Sequence, residues 1–384
     1  MKIRNRNIYL LLAGLLGANC SFSQPVANEL TADKNATKQT VALCNNLKKL
    51  SLKGYMFGHQ DDLAYGVNWH YENGRSDVKD VAGDYPAVYG WELGGLEVNE
   101  EKNLDGVPFK KMRQFIKEGY ERGGVITISW HARSPFGAPK GAWDTTHGSV
   151  ASILPGGANH LLYKSWLDEL AKFFLSLKGS QGEAIPVLFR PFHELTGNWF
   201  WWCRNACSPE QFKVLWRFTQ YYLQNEKKVH NLLYIYNTAG DFKTKEEFLE
   251  RYPGDDMVDM ISFDSYQYDD PAKSDWFVKN TNAQLDMLSA IATEKNKLMA
   301  FAETGYEQIP FANWWTETLS KAIGQHKISY VLVWRNHGYN QWMKKMHYYA
   351  PYKGHGSEAD FIKFYQQENT LFEKDVAKEK LYSY

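Results

Sequence analysis

Apolar residues fall in short, nearly continuous runs at 55–60, 87–93, 125–131, 187–194, 232–237, 260–266, 298–304 and 330–336, rich in β-branched and aromatic side chains. A strand wet on one face alternates apolar with polar positions, whereas a strand covered on both faces reads as an unbroken run. The eight runs therefore predict buried strands. Between them the spacing becomes helical. Phe212, Leu215, Trp216, Thr219 and Leu223 share one helical face behind Ser208-Pro209-Glu210-Gln211, a capping box with proline in the first turn. Leu162, Trp166, Leu170, Phe174 and Leu177 repeat the pattern and stop at Gly179, and residues 357–360 cap a last helix carrying Phe361, Phe364 and Leu371. This alternation predicts an α/β protein, a single-domain (β/α)8 TIM barrel over residues 41–384. An open doubly wound sheet competes, but no glycine-rich phosphate loop follows the first run.

The N-terminal residues carry a different signal. Lys2, Arg4 and Arg6 precede the apolar run 8–18, and Ser21-Phe22-Ser23 supplies small residues for cleavage before Gln24, so residues 1–23 read as a secretory signal peptide. An exported, periplasmic or extracellular protein is expected. Asn19 stands where a lipoprotein signal wants a small residue, which disfavours a lipid anchor at Cys20. Residues 24–40 are polar and read as a flexible lead-in. Removing three cations from 44 basic residues leaves 41 against 44 acidic, so the charge points to no nucleic acid, and no second apolar run points to a membrane span. Cys44, Cys203 and Cys207 are too few for a disulfide scaffold and lack zinc spacing, while a Cys203–Cys207 bridge stays open.

Composition adds the chemistry. Aromatic residues make up 15% of the chain, with 14 Trp and 24 Tyr, and flat amphipathic rings suit either a large core or the faces of sugars. The predicted strand-to-helix loops 61–75, 132–158 and 337–356 are long, whereas helix-to-strand connections such as 229–231 are short, which places a working face at the carboxyl ends of the strands. The strand ends supply His59, Trp91, Glu92, His131, His193, Glu194, Asn237, Asp264, Tyr266, Glu303, Trp334 and Arg335. Two glutamates on opposite sides of a barrel mouth are what glycoside hydrolysis requires. Glu194 sits between Phe192 and Trp199-Phe200-Trp201-Trp202, surroundings that disfavour its charge and suit a proton donor. Glu303 has Tyr266 and Arg335 as candidates to hold it as an anion, which suits a nucleophile. Trp69, Trp314, Trp315 and Trp342 fall on long loops and are candidates for outer sugar subsites.

The segments RPFHELTGNWFWW around Glu194, FAETG around Glu303, SWH at the third strand, PGDDMVDMISFDSY through the sixth and VLVWRN on the eighth together resemble glycoside hydrolase family 26, best known for β-mannanases. The resemblance spans nearly all of the chain after residue 23. It implies a retaining glycosidase barrel with Glu194 as acid/base and Glu303 as nucleophile. It also implies that His131 and His193 bind the sugar at the cleavage point, that Trp199 is a stacking platform, that Tyr266 (with Tyr268 close by) bonds the nucleophile, and that Arg335 contacts substrate. Asp264, Trp334, Trp143 and His59 complete the candidate substrate contacts; a loop cap is the ordinary alternative for Asp264 and core packing for Trp334.

The expected protein is thus a monomeric β-1,4-mannanase acting on β-mannan polysaccharide or manno-oligosaccharides, with no cofactor and no metal. Xylan and mixed-linkage glucan are the alternative substrates within the family. A metal-dependent hydrolase built on His59, His131 and His193 is disfavoured by the lack of an HxH pair on the first strand, and a non-catalytic sugar binder would not need both glutamates.

Overall fold

The computed structural model describes residues 31–137 and 139–383. Eight parallel strands close on themselves: β1 (Tyr55–Gln60), β2 (Val88–Glu92), β3 (Val125–Trp130), β4 (Val187–Pro191), β5 (Leu232–Ala239), β6 (Met260–Asp264), β7 (Leu298–Thr304) and β8 (Tyr330–Val333). Each pairs with its sequence neighbour, and β8 returns to β1 with Met56 opposite Tyr330 and His59 opposite Val333. The fold is a (β/α)8 TIM barrel, and the closure removes the open-sheet alternative.

Strand residues alternate between two apolar layers. Met56, Val88, Val125, Leu188, Leu233, Ile235, Met260, Leu298, Ala300, Ala302 and Leu332 belong to one cluster, inside the barrel. Their neighbours, such as Phe57, Tyr89, Phe189 and Phe301, join the cluster outside it, under the helices. Period two thus persists in strands whose sequence reads as unbroken apolar runs, because both faces are dry.

The predicted helices form. Ser208 accepts from the Gln211 amide in a capping box that starts Pro209–Tyr221, and His160–Ser176 carries the second apolar stripe. The last helix ends earlier than its apolar pattern suggests: Phe361 and Phe364 lie in Glu358–Tyr365, but Leu371 belongs to a short strand, Thr370–Leu371, that pairs with the start of β1. Among the described residues no helix is long and apolar enough to cross a membrane. Cys203 and Cys207 are free thiols, so no bridge joins them.

The flexible lead-in is corrected over residues 31–40. The Ala32 amide donates to Asp259 Oδ1 at 2.6 Å, Asp33 pairs with His230 Nδ1 at 2.8 Å, and Thr37 caps the helix Lys38–Leu50. The Asp259 and His230 side chains anchor the stretch to the barrel, so a polar segment is docked rather than loose. Residues 24–30, the signal peptide and Cys20 lie outside the described residues.

Candidate active site

Two strands deliver the glutamates by different backbone routes. In β7 an extra residue shifts the register against both neighbours: Phe301 lies opposite Phe263 but Glu303 opposite Asp264, and Phe301 lies opposite Val331 but Thr304 opposite Val333. Alternation would send Glu303 outward, since Ala300 and Ala302 already face in; the bulge turns it towards the barrel axis. Beyond β4, Phe192 and Glu194 adopt φ of 52° and 53°. Left-handed backbone in a phenylalanine and a glutamate costs about 1–3 kcal/mol each. It ends the strand at Pro191, three residues before the sequence predicts, puts Phe192 into the outer aromatic cluster with Trp201 and Trp202, and raises Glu194 above the barrel mouth.

One carboxylate oxygen from each of Glu194, Asp264 and Glu303 lies within 4.8 Å of the others. The cation among them is Arg190, 3% exposed, which pairs with Asp264 at 2.7 Å and makes a short contact with Glu303 Oε1. Glu303 Oε2 accepts from the Tyr266 hydroxyl at 3.0 Å, so Tyr266 rather than the 82% exposed Tyr268 is its partner. Asp264 is no loop cap. It accepts from Asn237 Nδ2 at 2.8 Å beneath the site, and burial, reinforced by the charge of Glu303 and opposed by Arg190, pushes its carboxyl well above the usual range.

Glu194 has no such cation. Its Oε2 accepts from Trp199 Nε1 at 2.7 Å. Burial first, and then the negative charge of Glu303, raise its pKa to about 7, against the opposing pull of the Trp199 bond, His131 and Arg190. Trp199 can lie against it because residue 197 is glycine; a Cβ there would stand 2.6 Å from the indole.

His131 and His193 meet edge to face with their Nε2 atoms 3.1 Å apart. Burial disfavours both charges of the His131–Glu92 pair, yet their 2.8 Å bond overrides it, holding His131 above and Glu92 below their usual ranges. Burial, His131 and Arg190 drive His193 well below its usual range. A charged His131 therefore donates to a neutral His193, which is further fixed by Trp202 Nε1 donating to its carbonyl at 2.8 Å.

Trp143, 47% exposed, stacks on His131 at 5.2 Å and 18°. Together with Leu104, Arg133 and Trp342 they line a cavity of about 980 Å³. Another, of about 370 Å³, is lined by Glu194, Trp199, Asp264, Tyr266, Tyr268 and Trp276. A third, of about 490 Å³ around Lys48, Lys297 and His326, lies at the opposite end of the barrel and contains no carboxylate.

Several expectations are corrected. Arg335 does not hold Glu303; Asp105, on the loop after β2, claims it at 2.5 Å. His59 is 1% exposed and bonded to Asp62 at 2.6 Å, enclosed rather than open to a ligand. Trp69, Trp314 and Trp315 are buried, Trp69 by donating to Asp77 and the other two within the outer core, which leaves Trp342 as the exposed member of the four. Trp334 is half-buried just past β8, its amide donating to the Thr304 carbonyl. Arg190 and Asn237 are the residues whose roles sequence reasoning missed. The signal for Arg190 is a lone charge inside the apolar stretch 185–192.

Known proteins resemble this chain in sequence and fold. The chain is 46% identical to a β-mannanase structure from Bacteroides ovatus, with a TM-score of 0.83 over 88% of this chain and 96% of that one. An endo-β-1,4-mannanase catalytic domain from a Bacillus species is 30% identical, with a TM-score of 0.83 over 92% and 96%. Among curated sequences, a mannan endo-1,4-β-mannosidase of Bifidobacterium adolescentis is 33% identical over 88% of this chain, and one of Thermothelomyces thermophilus is 31% identical over 74%. The chain spans 35% and 53% of the length of those two relatives. The family model for glycosyl hydrolase family 26 matches residues 32–352, and with the match covering all eight barrel strands and both glutamates, the chain belongs to that family.

Proposed function

We propose that the protein is an exported, retaining β-1,4-mannanase. The observation that carries the mechanism is the approach of Glu194 and Glu303 to within 4.8 Å, close to the roughly 5–5.5 Å of retaining glycosidases and short of the roughly 6.5–9.5 Å that leaves room for an inverting water. In the first step a Glu303 oxygen attacks the anomeric carbon, the glycosidic C–O bond breaks and Glu194 passes its proton to the leaving oxygen. In the second, Glu194 takes a proton from water, whose oxygen attacks the same carbon and releases Glu303. A carboxyl with a pKa of about 7 suits both halves of that exchange. His131, Trp199 and Trp143 provide a polar edge and ring faces for the sugars on either side, while His193, 1% exposed, braces His131 through its Nε2.

That several relatives are mannan endo-1,4-β-mannosidases supports mannan as the substrate, and the signal at residues 1–23 supports export, with the mature chain beginning at Gln24. Glu303→Ala is expected to lower kcat on unbranched mannan on the order of 10^5-fold while retaining oligosaccharide binding. Ordinary turnover by that variant would remove the assignment. Initial rates on mannan, galactomannan and xylan test the substrate, and proton NMR of the first product tests retention: an α-anomer would refute it.

A further inference from the structure

Asn237 lines none of the three cavities; it is fully buried near the carboxyl end of β5, and all four of its amide hydrogen-bonding positions are used. Oδ1 accepts from the Glu194 backbone amide at 2.9 Å and from Arg190 Nη1 at 3.3 Å. Nδ2 donates to Asp264 Oδ1 and Ser262 Oγ, both at 2.8 Å. Two obligate donors fix which end of the amide is oxygen. The Asn237 backbone carbonyl also receives the Leu195 amide at 3.3 Å.

The bond to Glu194 has no ordinary substitute. Glu194 has left β4 through left-handed backbone, so its N–H points away from any strand neighbour and finds its acceptor in a side chain on the next strand. The same amide contacts Arg190 and Asp264, and Arg190 pairs with Glu303. We propose that Asn237 is the positioning residue that fixes the backbone of Glu194 relative to Glu303 and so sets the aim of the proton transfer. This inference rests on the acid/base role proposed above for Glu194.

Asn237→Ala separates positioning from folding through substrates that differ in their need for acid. Thermal melting and circular dichroism first establish that the variant is folded. On mannan, whose leaving oxygen must be protonated, kcat/KM is expected to fall about 100-fold. On 2,4-dinitrophenyl β-mannobioside, whose leaving group departs without a proton, kcat/KM is expected to change less than about 5-fold while kcat falls, because general-base attack of water on the glycosyl-enzyme is impaired. Azide needs no base: its nitrogen attacks the anomeric carbon, the bond to Glu303 breaks, and kcat recovers with formation of a β-glycosyl azide. Equal losses on both substrates without azide rescue would overturn the proposal, placing the effect on Arg190 and Glu303.

Asn237→Asp serves as the near-isosteric control and as the fallback if the alanine variant does not fold. It keeps an acceptor for the Glu194 amide and removes both donors, so its losses are expected to be similar on the two substrates, with no gain from azide. An azide-dependent gain in Asn237→Asp would mean that the donors to Asp264 and Ser262 carry the effect, and would overturn the inference. Failure of the wild-type protein to cleave the aryl mannobioside would instead count against the proposed activity, a distinguishable outcome.

Discussion

The carboxyl ends of β7 and β4 each present a glutamate to the same small volume, and they do so with opposite chemistry. At β7 the backbone stays in the sheet, a single bulge turns Glu303 inward, and a buried guanidinium and a phenol hydroxyl converge on its two oxygens. Past β4 the backbone leaves the sheet, and Glu194 receives one indole N–H and no ion pair of its own. Charged donors favour the anion, whereas burial beside another carboxylate favours the acid. Two residues of one type thus meet different partners, ionic and phenolic at Glu303 and a single indole at Glu194, whose carboxyl is pushed up to about 7, a contrast in surroundings that suits a double displacement.

Breaking the ionic side should produce the largest effect. Arg190→Met leaves Asp264 and Glu303 facing each other without a cation, and removing one partner of a buried pair costs roughly 3–5 kcal/mol of stability. Activity on mannan is expected to fall at least about 10^3-fold, with a lowered melting temperature in the same preparation. Activity within 10-fold of wild type would mean that the guanidinium does not organise the nucleophile.

Tyr266→Phe is a milder cut on the same side, since it deletes one hydrogen bond to Glu303 and preserves the ring packed on Tyr349. A hydrogen bond to a charged group contributes about 1.5–3 kcal/mol, which translates to a loss of about 10–100-fold in kcat. Loss of KM alone would show that the hydroxyl meets substrate rather than the nucleophile.

How much of this was legible in the sequence follows from the same contrast. Strand runs, the capping box at Ser208 and both glutamates announce themselves through local pattern. The inward turn of Glu303 does not, because alternation counted along β7 points it outward and a bulge has no residue signature of its own in FAETG. Arg335 looked like the partner of Glu303 because it follows β8, next to β7, but Asp105 lies far from it in sequence and nothing local reveals that pair. Arg190 is hidden for the opposite reason: in RPFHELTGNWFWW it reads as one member of a motif, and only its burial reveals a charge that demands counter-ions. Polarity misled at residues 31–40, where groups that suggest solvent are instead tied to the barrel, the Ala32 amide by Asp259 and the Asp33 carboxylate by His230.

The smallest expected effect is the sharpest test of the β4 side. Trp199→Phe retains an aromatic face but loses the donor to Glu194 Oε2. That bond favours the carboxylate, so its loss raises a pKa already near 7. Since the first step needs Glu194 protonated, kcat/KM on mannan falls as pH rises through that pKa, and a higher pKa moves the basic limb to higher pH. With Trp199 37% exposed, solvent replaces part of the lost bond, and the displacement should be about 0.5–1 pH unit with only a several-fold loss at the optimum. A profile measured from pH 5 to 9 decides the matter. A basic limb that stays in place, or moves down, would mean that the indole serves the sugar alone and that burial with Glu303 sets the protonation of Glu194.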